Sequence, residues 1–316
     1  MEEITPKIRR ANPEDAEEIV KVFNTLYAQD HGYTRPEVVK SDIENPRITS
    51  LIAVDADKKE IIGHGQLRPP EYAFTSHEND AVEIARLGVS KKHQNKGVGR
   101  QLVSALQDFT LLQNPAFVFA DINTATDYSQ KTIRLIGLKP VALLLGYSPD
   151  FAKINQANSF LVGMRIDNEQ AKDEKTIVYV PEEHRKLAEL VYRILGLKRD
   201  INEKSTNGEP LMDFDLELAG YVFDSQKAIK SAGYNPGQIA IDISQPSALE
   251  QIQLAEQAGL VVEGLVPLVR EQNGTRHDKL IMSYLPNLDL NKVQVCPDYE
   301  KFSKMVLESQ RTGIKK

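Results

Sequence analysis

Hydrophobic and polar positions in the first half of the chain alternate between the period of a strand and that of a helix. Residues 7–10 predict a short strand, and Asn12-Pro13 then predicts a helix start, because Asn caps and Pro is tolerated at the first helical position. That helix is predicted to run to about Tyr27. Further strands are predicted at 51–55, 61–67, 82–89, 116–122, 141–147 and 159–166, and helices at 36–43, 97–112 and 128–136. The pattern predicts an α/β fold with a mixed sheet and flanking helices.

The chain is predicted to divide into two domains. Residues 167–175 contain almost no apolar side chains, which is typical of a linker. A strand at 176–180 and a helix at 182–195 follow, and then strands and helices alternate up to a last helix near 301–308. We therefore predict domains at residues 1–167 and 176–316, joined by a linker at 168–175.

One segment of the first half recurs in the second half. Residues 120–123 (Ala-Asp-Ile-Asn), a helix and Gly137-Leu138 recur as residues 241–244 (Ile-Asp-Ile-Ser), a helix and Gly259-Leu260. Continuing the comparison aligns Leu143 with Leu265, and residues 160–164 with 280–284. Agreement in order over three elements predicts a tandem of two related domains.

Composition and charge exclude several classes of protein. The chain has 316 residues, of which 41% are hydrophobic and 27% charged, so a disordered or collagen-like protein is excluded. The net charge of −6 is not the basic excess of a nucleic-acid-binding protein. The longest apolar run, residues 141–145, is far shorter than the roughly 20 residues of a membrane helix. With no signal peptide visible and a lone Cys296, we expect a cytoplasmic protein that binds neither nucleic acid nor membrane.

Candidate chemistry is concentrated between residues 82 and 100. A predicted strand leads into a basic loop, and two glycines, Gly97 and Gly99, open an amphipathic helix. The first amides of a helix have no intrahelical partner and attract anions. Glycine lets the backbone approach a phosphate closely, and Lys96 and Arg100 add positive charge. The six histidines show no metal-ligand spacing, so no metal site is predicted.

The loop differs from two common phosphate-binding motifs. It lacks the Gly-Lys-Ser/Thr ending of a P-loop and the Gly-x-Gly-x-x-Gly spacing. Gln94-x-x-Gly97-x-Gly99 instead resembles the Gln/Arg-x-x-Gly-x-Gly/Ala signature of the GNAT superfamily of acyl-CoA N-acyltransferases, with Glu83-Ile84-x-x-Leu87-x-Val89 upstream. The resemblance covers the first half and, more faintly, the second. It implies direct transfer of acetyl from acetyl-CoA to an amine of a small molecule or peptide.

The resemblance also implies cofactor-binding residues. The backbone of Leu87-Gly88-Val89 would pair with the pantetheine arm, and an N–H there would polarise the thioester carbonyl. Pyrophosphate would lie on the loop and helix start, formed by Gln94, Asn95, Lys96, Gly97, Val98, Gly99 and Arg100. Ser129 would hydrogen-bond the cofactor. Asn123 either contacts the cofactor or caps the following helix.

The predicted catalytic residues are less well defined. Glu83 lies where some relatives keep the carboxylate that deprotonates the amine; otherwise it is a solvated carboxylate or a partner for Arg86. The family often has a Tyr four residues before a Gly-Phe pair to protonate the thiolate. Here Gly137-Leu138 fills that pair, and the position holds Ile133. Tyr128 points about 140° away from it on helical geometry and is a weak candidate for the acid.

Other roles remain open at this point. Tyr27, His31, Tyr33 and His64 either form the acceptor wall or are ordinary core, edge or helix-end side chains. The second half has no second glycine loop, so we expect a degenerate GNAT-like domain that binds no cofactor. It would extend the sheet, cover one end of the acceptor cleft or make a homodimer contact. The alternatives to an enzyme are a non-catalytic CoA-binding sensor and a scaffold with a vestigial catalytic half.

Overall fold

The computed structural model describes residues 5–26, 32–70, 81–124, 128–148, 158–167, 172, 176–203, 238–270, 276–284 and 295–313. The strands are β1 (Lys7–Arg10), β2 (Thr49–Val54), β3 (Ile61–Arg68), β4 (Ala81–Val89), β5 (Phe117–Asn123), β6 (Lys139–Ser148), β7 (Asn158–Ile166), β8 (Thr176–Tyr179), β9 (Arg199–Asn202), β10 (Gln238–Asp242), β11 (Leu260–Arg270) and β12 (Arg276–Tyr284). The helices are α1 (Ala16–Asn24), α2 (Pro36–Glu44), α3 (Val98–Gln113), α4 (Tyr128–Arg134), α5 (Glu182–Leu195), α6 (Ala248–Gln257) and α7 (Pro297–Gly313).

Ten of these strands form one mixed sheet. Its order is β1-β2-β3-β4-β5-β7-β6-β11-β12-β10, and β4 and β5 are its parallel pair among the strands described. The remaining described strands, β8 and β9, pair with each other in parallel. Helices flank the sheet, so the predicted α/β fold class is confirmed.

Helices cover both faces of the first half of the sheet. On one face, α3 buries Leu102 and Leu106 against β2, β3 and β4, because its apolar residues recur at helical spacing. On the other face, α1 and α2 bury Phe23 and Val39 against β2 and β3. The first helix is shorter than predicted: Pro13–Asp15 is a separate 3₁₀ turn, and α1 ends at Asn24.

The repeat seen in the sequence forms two matching β-α-β-β units. Ile122 on β5 pairs with Leu161 on β7, and Leu161 pairs with Leu143 on β6. In the second half, Ile241 on β10 pairs with Leu280 on β12, and Leu280 pairs with Leu265 on β11. The sequence alignment is therefore right at Leu265, one residue off at β12 and two residues off at β10. A one-residue shift of β12 still places buried apolar residues from 280–282 at the paired positions, and a two-residue shift of β10 keeps the same face buried, so the sequence alone does not fix either register.

Local irregularities also recur in the two units. The β6–β7 ladder has a bulge between Pro140 and Ala142, and the β11–β12 ladder has one between Val262 and Gly264. The two units meet where Gly264 pairs with Ala142, so equivalent positions lie opposite each other at the centre of the sheet. The two units are therefore related by an approximate two-fold axis through this pair.

Contacts besides the sheet join the two halves. The Glu263 carboxylate accepts a hydrogen bond from the Leu145 amide at 2.7 Å. In the segment that leads into α7, the Cys296 amide donates to the Gln130 side chain at 2.7 Å, and from α7 the Tyr299 hydroxyl donates to a backbone carbonyl of the first half. The sheet thus runs across both halves without a break. Of the predicted linker, Lys172 alone lies among the described residues. No helix in the described parts of the chain combines the length and apolar character needed to span a membrane.

Candidate active site

The parallel strands β4 and β5 run together for four residues and then part. Their pairing extends from Ala81–Phe117 to Ile84–Ala120. Both strands continue beyond that point, to Val89 and Asn123. Backbone groups of Leu87-Gly88-Val89 therefore face an opening in which β5 does not pair with them.

A bulge in β4 shapes this opening. The register with β3 shifts between the pairs Gln66–Ala85 and His64–Gly88, and Arg86 has a φ of +51°. This left-handed conformation is uncommon for a residue with a β-carbon. The His64 Nδ1–H donates to the Arg86 carbonyl at 3.3 Å, which supports the bulge. Burial lowers the pKa of His64 to about 4, so its ring is neutral at physiological pH.

The loop after β4 ends in a helix N-terminus. Gly97 is the N-cap residue of α3 with a φ of +80°, and Asn95 has a φ of +60°. The first intrahelical bond runs from the Gln101 amide to the Gly97 carbonyl. The amides of Val98 and Gly99 precede that bond and have no partner within the helix by geometry. A β-carbon on Gly99 would meet Val89 at an ordinary 3.7 Å, so the site is compatible with the Gly/Ala alternation of the signature.

Side chains hold this loop against the end of β4. Gln94 Nε2 donates to the Val89 carbonyl at 3.1 Å, so the glutamine of the signature anchors the loop. Ser90 Oγ and His93 Nδ1 lie 2.7 Å apart, and burial lowers the pKa of His93, which favours the neutral ring. Lys92 pairs with Glu60 on the neighbouring hairpin at 2.6 Å. The loop is thus preorganised.

The remaining predicted site residues differ in exposure and in whether they lie among the described residues. Lys96 is half-buried and Arg100 exposed, and Asn123 is the last residue of β5. Ser129 lies on α4 with a buried Oγ that has no hydrogen-bond partner among the described residues. Ile133 is buried in the core. The side chain of Tyr128 lies outside the described residues, as do Tyr27 and His31 entirely.

A cluster of polar side chains occupies the face opposite α3. Arg68 pairs in register with Glu83, and Glu83 with Phe119. Because side chains alternate along a strand, Asp121 shares the face of Phe119 and Glu83. We call this set the polar cluster: Tyr33, Asp42, His64, Gln66, Arg68, Glu83, Arg86 and Asp121.

Several members of the polar cluster have partners within it. The Tyr33 hydroxyl donates to Asp42 Oδ2 at 3.0 Å, and burial next to that carboxylate raises the pKa of Tyr33. Gln66 Nε2 donates to the Ser50 hydroxyl at 2.9 Å and reaches Asp42 at 3.3 Å. Tyr33 therefore remains a neutral donor.

Glu83 is paired with Arg68. Arg68 Nε lies 3.4 Å from Glu83 Oε2, and both side chains are buried. Burial raises the pKa of Glu83, while Arg68 and Arg86 oppose that rise. Glu83 is therefore neither solvated nor held chiefly by Arg86.

Two other charged members have no ion pair within the described parts of the chain, although Arg68 lies near enough to Asp121 to oppose the rise in its pKa. The Asp121 Oδ1 atom is buried without a hydrogen-bond partner among the described residues, and burial raises the pKa of Asp121 to about 8. The Arg86 guanidinium lies over the Tyr33 ring, 4.7 Å from its centroid, and its buried Nε also lacks a hydrogen-bond partner there. Asp121 is the first β5 residue beyond the last position that pairs with β4.

Sequence reasoning missed part of this cluster. From the sequence, Asp121 was recognised only as part of the repeated segment, and Arg68 and Asp42 were not predicted as site residues. Strand alternation from Glu83 would have placed Arg68 and Asp121 on its face only if the register were known. No three His, Cys, Asp or Glu side chains within the described ranges are arranged to hold a metal ion.

Comparison with known proteins assigns a family to this region. The opened parallel pair and the glycine-capped helix offer backbone hydrogen-bonding groups at the same edge of the sheet. The family model for the acetyltransferase (GNAT) family matches residues 16–136. These residues therefore form a GNAT acetyltransferase domain, and the general reaction of the family is acetyl transfer.

Solved structures similar to this chain are also acetyltransferases. Ribosomal-protein-S5-alanine acetyltransferase from Vibrio fischeri is 17% identical over 51% of this chain and 93% of that chain, with a TM-score of 0.42. A Salmonella typhimurium protein solved with its cofactor acetyl-CoA is 17% identical over 52% and 95%, with a TM-score of 0.45. Ribosomal-protein-S18-alanine N-acetyltransferase from Escherichia coli is 11% identical over 52% and 95%, with a TM-score of 0.43. No curated protein matches the chain.

Proposed function

We propose that the chain is an acetyl-CoA-dependent N-acetyltransferase that transfers acetyl directly to a primary amine. The observation that carries the proposal is the parting of β4 and β5 after Ile84 and Ala120, next to the N-terminus of α3. An extended backbone without a partner strand offers hydrogen bonds to the amide groups of pantetheine, and the helix amides offer them to phosphate.

The residues present fit acetyl-CoA. The left-handed φ of Gly97 positions the helix amides without a β-carbon between them and a phosphate. Gln94 keeps the loop in place, and Lys96 and Arg100 supply positive charge nearby. When bound, acetyl-CoA supplies an acetyl group activated as a thioester.

The polar cluster supplies the groups that direct transfer needs. A protonated amine cannot attack a thioester, so a carboxylate must first take its proton. Glu83 is the base that we propose from the sequence, and Asp121 is a second candidate, since both lie on the face opposite α3. The amine nitrogen then bonds to the acetyl carbon as the C–S bond breaks, and the N-protonated amide that results gives up its extra proton to water. A backbone N–H of Leu87-Gly88-Val89 would stabilise the oxyanion, and the thiolate would take its proton from water.

The alternative is a CoA-binding sensor without catalysis. Ile133 favours it, because it is buried in the core and cannot donate a proton to the departing thiolate. A thiol with a pKa of about 8.5 is nevertheless a tolerable leaving group. Release of CoA that depends on an added amine would support the enzyme, and binding without any such release would support the sensor.

Replacement of Gly97 tests cofactor binding. In Gly97→Glu, a carboxylate replaces the hydrogen atom at the helix start, and we expect acetyl-CoA affinity measured by calorimetry to fall at least roughly 100-fold through like-charge repulsion. Gly97→Asn is the neutral control, since Asn tolerates a left-handed φ. Gly196→Glu controls for backbone strain, because Gly196 has a φ of +73° at the end of α5. Equal affinity of Gly97→Glu and wild type would contradict the assignment.

We further propose that the second half is a degenerate GNAT-like domain with a structural role. Its β-α-β-β unit mirrors that of the first half and continues the sheet from β6. One molecule of CoA per chain is the expected stoichiometry. Two equal sites, found by titration against a known protein concentration, would contradict this role.

A further inference from the structure

We propose that the acceptor is an amine that carries a carboxylate, as a free amino acid does, and that Arg86 binds this carboxylate while Asp121 faces the amine. The inference rests on the proposed function and names its substrate class. It follows from which charged groups of the polar cluster already have partners and which do not.

Arg86 is the cation of the cluster available to an anion. Its guanidinium carbon lies 4.7 Å from the centroid of the Tyr33 ring, and its buried Nε has no hydrogen-bond partner among the described residues. Arg68, by comparison, lies 3.4 Å from the Glu83 carboxylate. A guanidinium held by stacking keeps its edge N–H groups for a planar carboxylate, which it can bind through two parallel hydrogen bonds.

The bulge places Arg86 directly before the segment that we propose binds the thioester arm. Arg86 adopts its left-handed φ at the β4 bulge, and the next residues are the Leu87-Gly88-Val89 segment. The hydrogen bond from His64 to the Arg86 carbonyl holds this conformation. An arginine placed here lies one residue from the backbone that would bind the thioester arm.

Asp121 is the complementary acid. It is the first β5 residue past the last position that pairs with β4. Asp121 therefore borders the opening from β5, and Arg86 borders it from β4. Its buried Oδ1 has no hydrogen-bond partner among the described residues, whereas Asp42 accepts from Tyr33 and Gln66. An ammonium group would supply the missing donor, and its charge would add to that of Arg68 in favouring the ionised carboxylate.

Arg86 and Asp121 lie on the two strands that border the opening. Neighbouring strands lie about 4.8 Å apart where they pair, and β4 and β5 diverge from that separation onward. The amine and carboxylate of an amino acid lie a few bonds apart. Arg86 and Asp121, on opposite sides of the opening, can therefore each take one end.

Binding tests the proposal without requiring turnover. The probes are the common free amino acids and, for each, the matched carboxamide, added to the full chain in the presence of CoA. We expect at least one free amino acid to bind by calorimetry roughly 10-fold or more tightly than its carboxamide, because a charge-assisted bidentate contact is lost. In Arg86→Gln that preference should vanish, while Arg86→Lys should retain part of it. Arg193→Gln, an exposed arginine on α5, is the matched control.

The outcomes separate this inference from the proposed function. A carboxylate preference that Arg86→Gln removes, with unchanged acetyl-CoA affinity, supports the inference. Absence of binding by every free amino acid, or equal binding of acids and carboxamides, overturns it. If acetyl-CoA binds and other amines, such as polyamines or peptides, still cause CoA release, the proposed function stands although the inference falls. Failure of acetyl-CoA to bind at all would instead contradict the proposed function.

Discussion

The contact between Gly264 and Ala142 is the most demanding steric feature of the sheet. A β-carbon on Gly264 would lie 2.2 Å from the Ala142 α-carbon and 2.4 Å from the Val141 carbonyl oxygen. Ordinary contacts begin near 3.4 Å. In Gly264→Ala the backbones of β6 and β11 must therefore separate by about 1 Å, which exceeds the small adjustments behind the usual overpacking cost of about 1–3 kcal/mol.

We expect Gly264→Ala to lower the free energy of unfolding by at least about 3 kcal/mol. Urea unfolding followed by circular dichroism measures this loss. Gly163→Ala is a matched control in the same sheet, since its β-carbon would meet the Ile122 and Leu138 side chains at 3.2 Å rather than backbone. Because those side chains can shift, we expect a cost of about 1 kcal/mol there.

A double variant tests whether the obstacle is the backbone. Ala142→Gly removes the side-chain carbon but leaves the Ala142 α-carbon and the Val141 oxygen in place. Gly264→Ala combined with Ala142→Gly should therefore remain as unstable as Gly264→Ala alone. A stability of Gly264→Ala within about 1 kcal/mol of wild type, or its rescue by Ala142→Gly, would refute the reasoning.

Two further predictions concern the carboxyls of the polar cluster. Burial raises the pKa of Asp121 from 3.8 to about 8, so the stability that its protonated form carries is complete below pH 3.8 and is lost as pH rises through about 8. Asp121→Asn should remove this loss. Measured by urea unfolding, the unfolding free energy of Asp121→Asn should exceed that of wild type by about 2 kcal/mol at pH 8.5 but not at pH 4. An equal difference at both pH values would contradict the prediction. Glu83→Gln should preserve acetyl-CoA affinity and slow CoA release with a located amine acceptor by roughly 10²-fold, most severely below the pKa of the amine. An unchanged pH–rate profile in Glu83→Gln, with a changed one in Asp121→Asn, would assign the base to Asp121.

Local sequence determined the elements and the cofactor loop. Alternation and helical periodicity placed most strands and helices within a few residues, since these patterns depend on neighbours in the chain. The Gln94-x-x-Gly97-x-Gly99 segment was also recognisable, because a left-handed N-cap and a tight loop require glycine wherever they occur. The family match at residues 16–136 is consistent with that recognition.

The polar cluster depended on tertiary structure. Arg68, Glu83 and Asp121 come from three different strands, and their shared face follows only from the strand register. The bulge at Arg86 carries no sequence signal, since arginine rarely adopts a left-handed φ, and the surrounding ladder imposes it. The partners of each charge, and hence which charges remain for a ligand, were decided by packing.

The internal repeat was also determined in part by the sequence and in part by the tertiary structure. Sequence similarity indicated two related units, because apolar strands and a glycine after a helix recur in order. It misplaced β12 by one residue, because apolar residues 280–282 are buried on both faces, and β10 by two, because a two-residue shift keeps the same face of an alternating strand buried. Only hydrogen bonding between strands, with Gly264 opposite Ala142, fixed the register, because a ladder admits one pairing at a time and glycine alone fits where the two backbones meet so closely.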